Sequence, residues 1–292
     1  MHAHRTRFGL VSLVAVAAIV AGLSLVSVTP EAHADSIRWL YGRRVDSSVD
    51  GIVASYSVKR NVLGQAVSDP DHRDHPEASF DDERVRELWK FYTQLVPFIA
   101  RRNINMVDIF TDGPGARVAA VYRDEDDEKK WHLAIDYLDI NDADGALDEA
   151  GVRDVLLHET GHMITLDVAQ VLADYRECAT YENEEGCSRP NSYINKFYDS
   201  YWKTHAAYLE SQNAIHRDEK SQQDFYKKHS SEFITSYAST GVEEDMAESF
   251  AYFIQYGRPN GSSVAHQKVR FFYEFSFFVR LRKIIRLGFE AK

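Results

Sequence analysis

His158, Glu159 and His162 stand in the segment Leu157-His158-Glu159-Thr160-Gly161-His162-Met163, residue types and spacing suited to binding a metal and activating water. On a helix, residues four apart lie one above the other, so the two imidazoles can grip one tetrahedral ion from the same side. The HExxH pattern implies zinc as that ion. Glu159, one position along, stands beside the ion rather than on it. From there it can take the proton of a metal-bound water, the general-base task in metal-assisted amide hydrolysis. The bland alternative is a pair of histidines in an ordinary buried helix, with Glu159 satisfied by a neighbour.

The surrounding residues must form that helix. Val152, Val155, Leu156, Met163 and Leu166 recur at helical spacing, and both histidines fall on the Val155 and Leu166 side, facing inward. Gly161 costs a helix interior about 1 kcal/mol relative to alanine, which implies that another backbone or helix approaches closely there. Two histidines do not complete a zinc site, so a third protein ligand is needed, with the fourth position left to water. Glu244 is the best candidate. Ser236 to Phe250 reads as a loop and then a helix, with Thr240 as N-cap and Glu243 completing a capping box. Glu244 and Glu248 then share one face at i,i+4 spacing, while Met246, Phe250, Phe253 and Ile254 face the core. On this reading Glu244 ligates the metal, and Glu248 accepts the free ring N–H of a ligating histidine, fixing its tautomer.

These segments together, His158-Glu159-Thr160-Gly161-His162, Tyr237-Ala238 and Glu244-Asp245-Met246-Ala247-Glu248, resemble the gluzincin metallopeptidases. The likeness is greatest to the catalytic domains related to anthrax lethal factor and the Pro-Pro endopeptidases. In that group the first Glu of an E-x-x-A-E helix is the third ligand, and a Tyr seven residues earlier points at the reaction centre, as Tyr237 stands before Glu244. The resemblance implies a single-zinc peptidase in which His158, His162 and Glu244 bind metal and Glu159 is the base. Tyr237 would stabilise the oxyanion or help protonate the leaving amine. It covers about 100 residues at motif level. The stretch between His162 and Glu244 is longer than in compact members, so substrate preference is not carried across; nor is a toxin role, since nothing here resembles the receptor-binding or translocation parts of a multidomain toxin.

The 292-residue chain has a formal charge of −11, which argues against nucleic acid as a partner; a protein or peptide substrate is what the resemblance implies. Arg5 and Arg7 precede an apolar run from Phe8 to Val28, and Ala32-His33-Ala34 suggests signal-peptidase cleavage before Asp35. The expected location is therefore secreted. The run is also long enough to serve as an uncleaved membrane anchor, which leaves the body outside the cell all the same. Cys178 and Cys187, the only cysteines, read as one disulfide closing a small acidic loop, with free thiols as the alternative.

Around these features, Asp35 to Ser79 reads as a polar surface wrap, in which Asp71, His72, Asp74 and His75 are a weak second metal candidate. Asp82 to Arg101 is helical with a bend at Pro97, and Met106 to Phe110, Arg117 to Tyr122 and Trp131 to Tyr137 are strands, with a turn at Asp112 to Gly115. Trp131 to Tyr137 is the strand expected to offer its edge to a peptide. Helices are expected over Ser192 to Leu209, Gln222 to Ile234, Glu243 to Tyr256 and Val264 to Leu287. The whole is an α+β, zincin-like arrangement of one domain over 35–292 after a signal peptide at 1–34. Residues 35–166 would form a small mixed sheet with the active-site helix, and 167–292 a mostly helical half. An exported zinc endopeptidase is the function expected. A cell-wall peptide amidase and a zinc-stabilised, non-catalytic binding module are the alternatives.

Overall fold

The computed structural model describes residues 51–68, 80–112, 117–173, 178–183, 185–211 and 219–290. The signal-like segment, the Asp71 to His75 cluster and the Gly113 to Gly115 turn lie outside them. The chain is α+β, with a small mixed sheet followed by a helical C-terminal half. Among the described residues no helix is long and apolar enough to cross a membrane.

Strands β1 (Ile52–Lys59) and β2 (Val62–Ser68) form an antiparallel hairpin where the sequence suggests an irregular surface wrap. Its two turn residues, Arg60 and Asn61, both have positive φ (52° and 71°), the backbone that a tight hairpin requires. Neither is glycine, so the usual sequence signal for that turn is weak. Helix α1 (Asp82–Leu95) starts where the Asp81 side chain accepts from the Glu83 N–H, and Pro97 separates it from the short α2 (Phe98–Arg101). Strands β3 (Ile104–Phe110), β4 (Ala119–Arg123) and β5 (Trp131–Asp136) complete the sheet in the order β2-β1-β3-β5-β4.

That order corrects one expectation. β5 lies inside the sheet, parallel to β3 and antiparallel to β4, so its backbone is already paired on both sides. The edge strand next to the candidate site is β4, which packs against helix α3 (Glu149–Thr165). Trp131, Leu133 and Ile135 face the main core, whereas His132 points to the other face with Asp108 and Tyr122.

Helix α3 starts at Asp148, whose carboxylate accepts the free N–H groups of Ala150 and Gly151 at 3.2 and 3.1 Å. It is buried nearly all round through Leu156 to Met163 rather than along one stripe, because the sheet lies on one side and helix α7 (Val242–Gln255) on the other. Gly161 makes that contact possible. A Cβ there would stand 3.2 Å from the Ala247 Cα and 3.1 Å from the Phe250 ring, so the close approach inferred from the sequence is real.

The helical half also contains a three-stranded sheet, β6 (Val171–Leu172), β7 (Glu182–Asn183) and β8 (Gly186–Ser188), in the order β6-β8-β7. It carries the Cys178–Cys187 disulfide. Helices α4 (Tyr193–Tyr201), α5 (Ala206–Ser211) and α6 (Glu219–His229) lead to α7. The final helix expected from the sequence is two: α8 (Val264–Phe271) and α9 (Ser276–Glu290), separated by a turn with Phe275 extended. The break lets Phe272 and Phe278 both reach Phe250, with ring centroids 5.6 and 5.8 Å away.

Candidate metal centre

Helices α3 and α7 bring together the side chains that the sequence holds 82 residues apart. His158 Nε2 lies 2.9 Å from His162 Nε2, and Glu244 Oε2 lies 3.0 Å from the first and 3.4 Å from the second. Three ligand-type atoms therefore converge on one point. Metal bonds of 2.0–2.2 Å in a tetrahedron would space such donors by about 3.3 Å, so His158, His162 and Glu244 lie close enough together to hold a metal ion.

The charges around that point are balanced against one another. Burial works against a proton on His158, but the carboxylates of Glu244 and Glu248 outweigh it and hold the ring well above the ordinary imidazole range. Burial would likewise raise Glu244, yet the two imidazoles keep its carboxyl well below the usual carboxylate range. A cation would take the place of the shared proton. Glu159 is buried beside this group, and burial pushes its carboxyl up against the opposing pull of His158 and His162.

Glu248 stands where the helix spacing puts it. Its Oε1 is 2.8 Å from His158 Nδ1, and its Oε2 accepts a 2.7 Å hydrogen bond from the Thr235 hydroxyl. Thr235 also accepts from the Ala238 N–H, so one side chain ties Glu248 to the turn that carries Tyr237. The Tyr237 ring is 5.8 Å from that of His158. Burial first, then the negative charges of Glu244 and Glu159, raise its phenol well above the usual range, so it stays a protonated donor. His162 Nδ1 is buried without a hydrogen-bond partner among the described residues.

The expected capping box is absent. Helix α7 begins after Gly241 with no side-chain cap, and the Thr240 hydroxyl instead donates to the Tyr237 carbonyl at 2.8 Å, inside a 3₁₀ turn spanning Tyr237–Thr240. Glu243 is drawn elsewhere, accepting a 2.8 Å hydrogen bond from the hydroxyl of Tyr181, the residue before β7. The rotation of α7 is fixed by Asp245. Fully buried, it pairs with the equally buried Lys268 of α8 at 2.6 Å and accepts from the Trp202 indole at 2.7 Å. With Asp245 turned into the core, Glu244 is left facing His158 and His162.

Sequence reasoning did not single out Thr235, Tyr181, Asp245 or Arg123. Arg123, at the end of the edge strand β4, pairs with Glu185 of the disulfide loop and donates to the Leu166 carbonyl at the end of α3. Each of these contacts joins distant segments, so no local spacing marks it. The Cys178–Cys187 pair is joined as expected. No protein-family model matches the chain, and no curated protein or solved structure shows significant similarity to it.

Proposed function

We propose that this chain is an exported, gluzincin-like zinc endopeptidase. The reading is carried by one observation: the donor atoms of His158, His162 and Glu244 meet at one point, with Glu159 buried beside it and Tyr237 facing it. Three protein ligands leave a coordination position open, which suits catalysis better than a closed structural site. A zinc ion held there would supply Lewis acidity, lowering the pKa of water and polarising a carbonyl.

The chain's own residues do the rest. Glu159 accepts the proton of the attacking water and returns it to the departing amine. The Tyr237 hydroxyl donates to the oxygen on which negative charge develops. Glu248 holds His158 in one tautomer, and Thr235 holds Glu248. β4, the edge strand of the sheet among the described residues, offers its backbone for an extended peptide to pair with, and its position against α3 favours β4 over β5 for that role. Export is supported by the disulfide, which belongs to an oxidising compartment, and by the signal-like segment read in the sequence.

The test is digestion of a peptide library with and without a chelator. Cleavage should stop on metal removal and return with zinc. Glu159→Gln should keep its metal and lose at least about a hundredfold in turnover, the usual scale of general-base catalysis. A metal-loaded Glu159→Gln protein as active as wild type would sink the assignment. A protein that binds zinc but cleaves nothing would favour the binding-module reading.

A further inference from the structure

A second meeting of histidine and carboxylate lies in the helical half, away from the residues described above. His205 ends the turn Lys203–His205, His229 ends α6, and Glu232 closes the next turn, Ser230–Glu232. Glu232 Oε2 is 2.9 Å from His205 Nε2, and its Oε1 is 2.7 Å from His229 Nδ1. The two imidazoles stand 4.8 Å apart at 73°, and one ligand atom from each of the three residues lies within 4.8 Å of the other two. Among the described residues, only this group and the α3–α7 centre bring three such donors together.

The packing holds these rings in place. Phe225 sits 5.2 Å from the His205 ring and 4.7 Å from that of His229, and Trp202, stacked on Phe225, lies 6.0 Å from His205. The three side chains are only 13%, 19% and 23% exposed, so the cluster is fenced by aromatic surface yet open enough for water to supply a further ligand. We propose that His205, His229 and Glu232 bind a divalent transition-metal ion at a second centre, distinct from that of His158, His162 and Glu244. Two imidazole nitrogens and one carboxylate oxygen suit zinc, cobalt or nickel, whereas calcium and magnesium call for oxygen donors throughout. The ion stands in place of the hydrogen bonds that now join the imidazoles to Glu232.

Its place in the chain gives it a task. An ion here fastens residue 205 to residues 229–232, immediately before Thr235 and Tyr237. It braces the approach to the turn that presents Tyr237, without touching the first centre. The binding site itself does not depend on the peptidase reading.

Metal content and zinc and cobalt titrations of the purified full-length chain test this, comparing wild type, Glu244→Ala, His229→Gln and the double variant. Glutamine at 229 can still donate to Glu232, and circular dichroism of the metal-free proteins checks that each one folds. Glu244→Ala is expected to keep one ion. Adding His229→Gln should weaken that ion by more than the roughly ten- to hundredfold that loss of an outer partner costs, because a direct ligand is removed. The second centre is overturned if Glu244→Ala binds no ion, or if the double variant binds one as tightly. Should Glu244→Ala not fold, wild type against His229→Gln decides the matter: two ions falling to one supports the site, and equal content refutes it. Because metal is read rather than turnover, an inactive protein would sink the peptidase reading and leave this one standing.

Discussion

Two clusters of histidine and carboxylate, one between α3 and α7 and one on the sheet face turned away from the helices, show what separates a potential metal site from a structural network. On the sheet, His132 Nδ1 lies 2.7 Å from Asp108 and Nε2 lies 3.2 Å from Asp124, so each nitrogen has its own carboxylate. Asp108 also accepts from the hydroxyls of Ser55 and Tyr122, and Asp124 from the Asn105 amide. The bonds spread along neighbouring strands, and where they meet, at Asp108 Oδ2, the imidazole is joined by the Tyr122 hydroxyl rather than by a second imidazole or another carboxylate. Between the helices, by contrast, two imidazole nitrogens and one carboxylate oxygen are aimed at the same place. The residue types are alike; convergence is what differs.

The largest effect should come from removing convergence. Glu244→Ala should abolish tight zinc binding at the α3–α7 centre and, with it, peptide cleavage. Glu248→Ala should weaken zinc by roughly ten- to a hundredfold, since His158 loses the partner of its other nitrogen. Glu243→Ala should leave the metal alone and cost about 1 kcal/mol for the lost Tyr181 bond. Zinc titrations of the three proteins decide the order. Metal loss in Glu243→Ala with retention in Glu244→Ala would show that the wrong carboxylate has been placed at the centre.

Removing a node of the sheet network should damage stability instead of metal binding. Asp108 is buried, and its carboxylate answers three side chains at once. Asp108→Ala takes this common acceptor from all three and should cost about 3 kcal/mol or more, in the range for breaking a buried charged pair. Chemical denaturation measures the loss, while metal content should stay at the wild-type level. A variant that kept its stability but lost its metal would erase the distinction between the two clusters.

The α3–α7 cluster was legible in the sequence to the extent that helix periodicity could make it so. His158 and His162 at i,i+4, and Glu244 and Glu248 at i,i+4, lie on facing helices as their spacing requires, and Gly161 announces the contact between those helices. The cap of α7 was not legible, because Thr240 has a local carbonyl to bind and the backbone turns before it can cap. Strand order was not legible either. The alternation of Trp131 to Tyr137 shows which residues face the core, but says nothing of which strands flank it, and the flanking strand β4 took the edge. The β1–β2 hairpin was missed because Arg60 and Asn61 adopt positive φ without a glycine to advertise it.

The smallest expected effect is the one that reads the sheet cluster by pH. Burial opposes a charged ring at His132, but Asp108 and Asp124 outweigh it and raise its pKa above the ordinary imidazole value. A group whose folded-state pKa is raised binds its proton more tightly in the folded chain, so it adds stability fully at pH below about 6.5, the unfolded value. That contribution fades as the pH climbs through the folded value. His132→Gln keeps a polar side chain but cannot carry the proton. The stability difference between wild type and His132→Gln should therefore be largest near pH 5.5 and shrink towards pH 9, as read from urea midpoints across the series. Other titrating groups are common to both proteins and cancel in the difference. Parallel curves would mean that folding leaves the His132 pKa unchanged, so that Asp108 and Asp124 do not hold its proton in the folded chain.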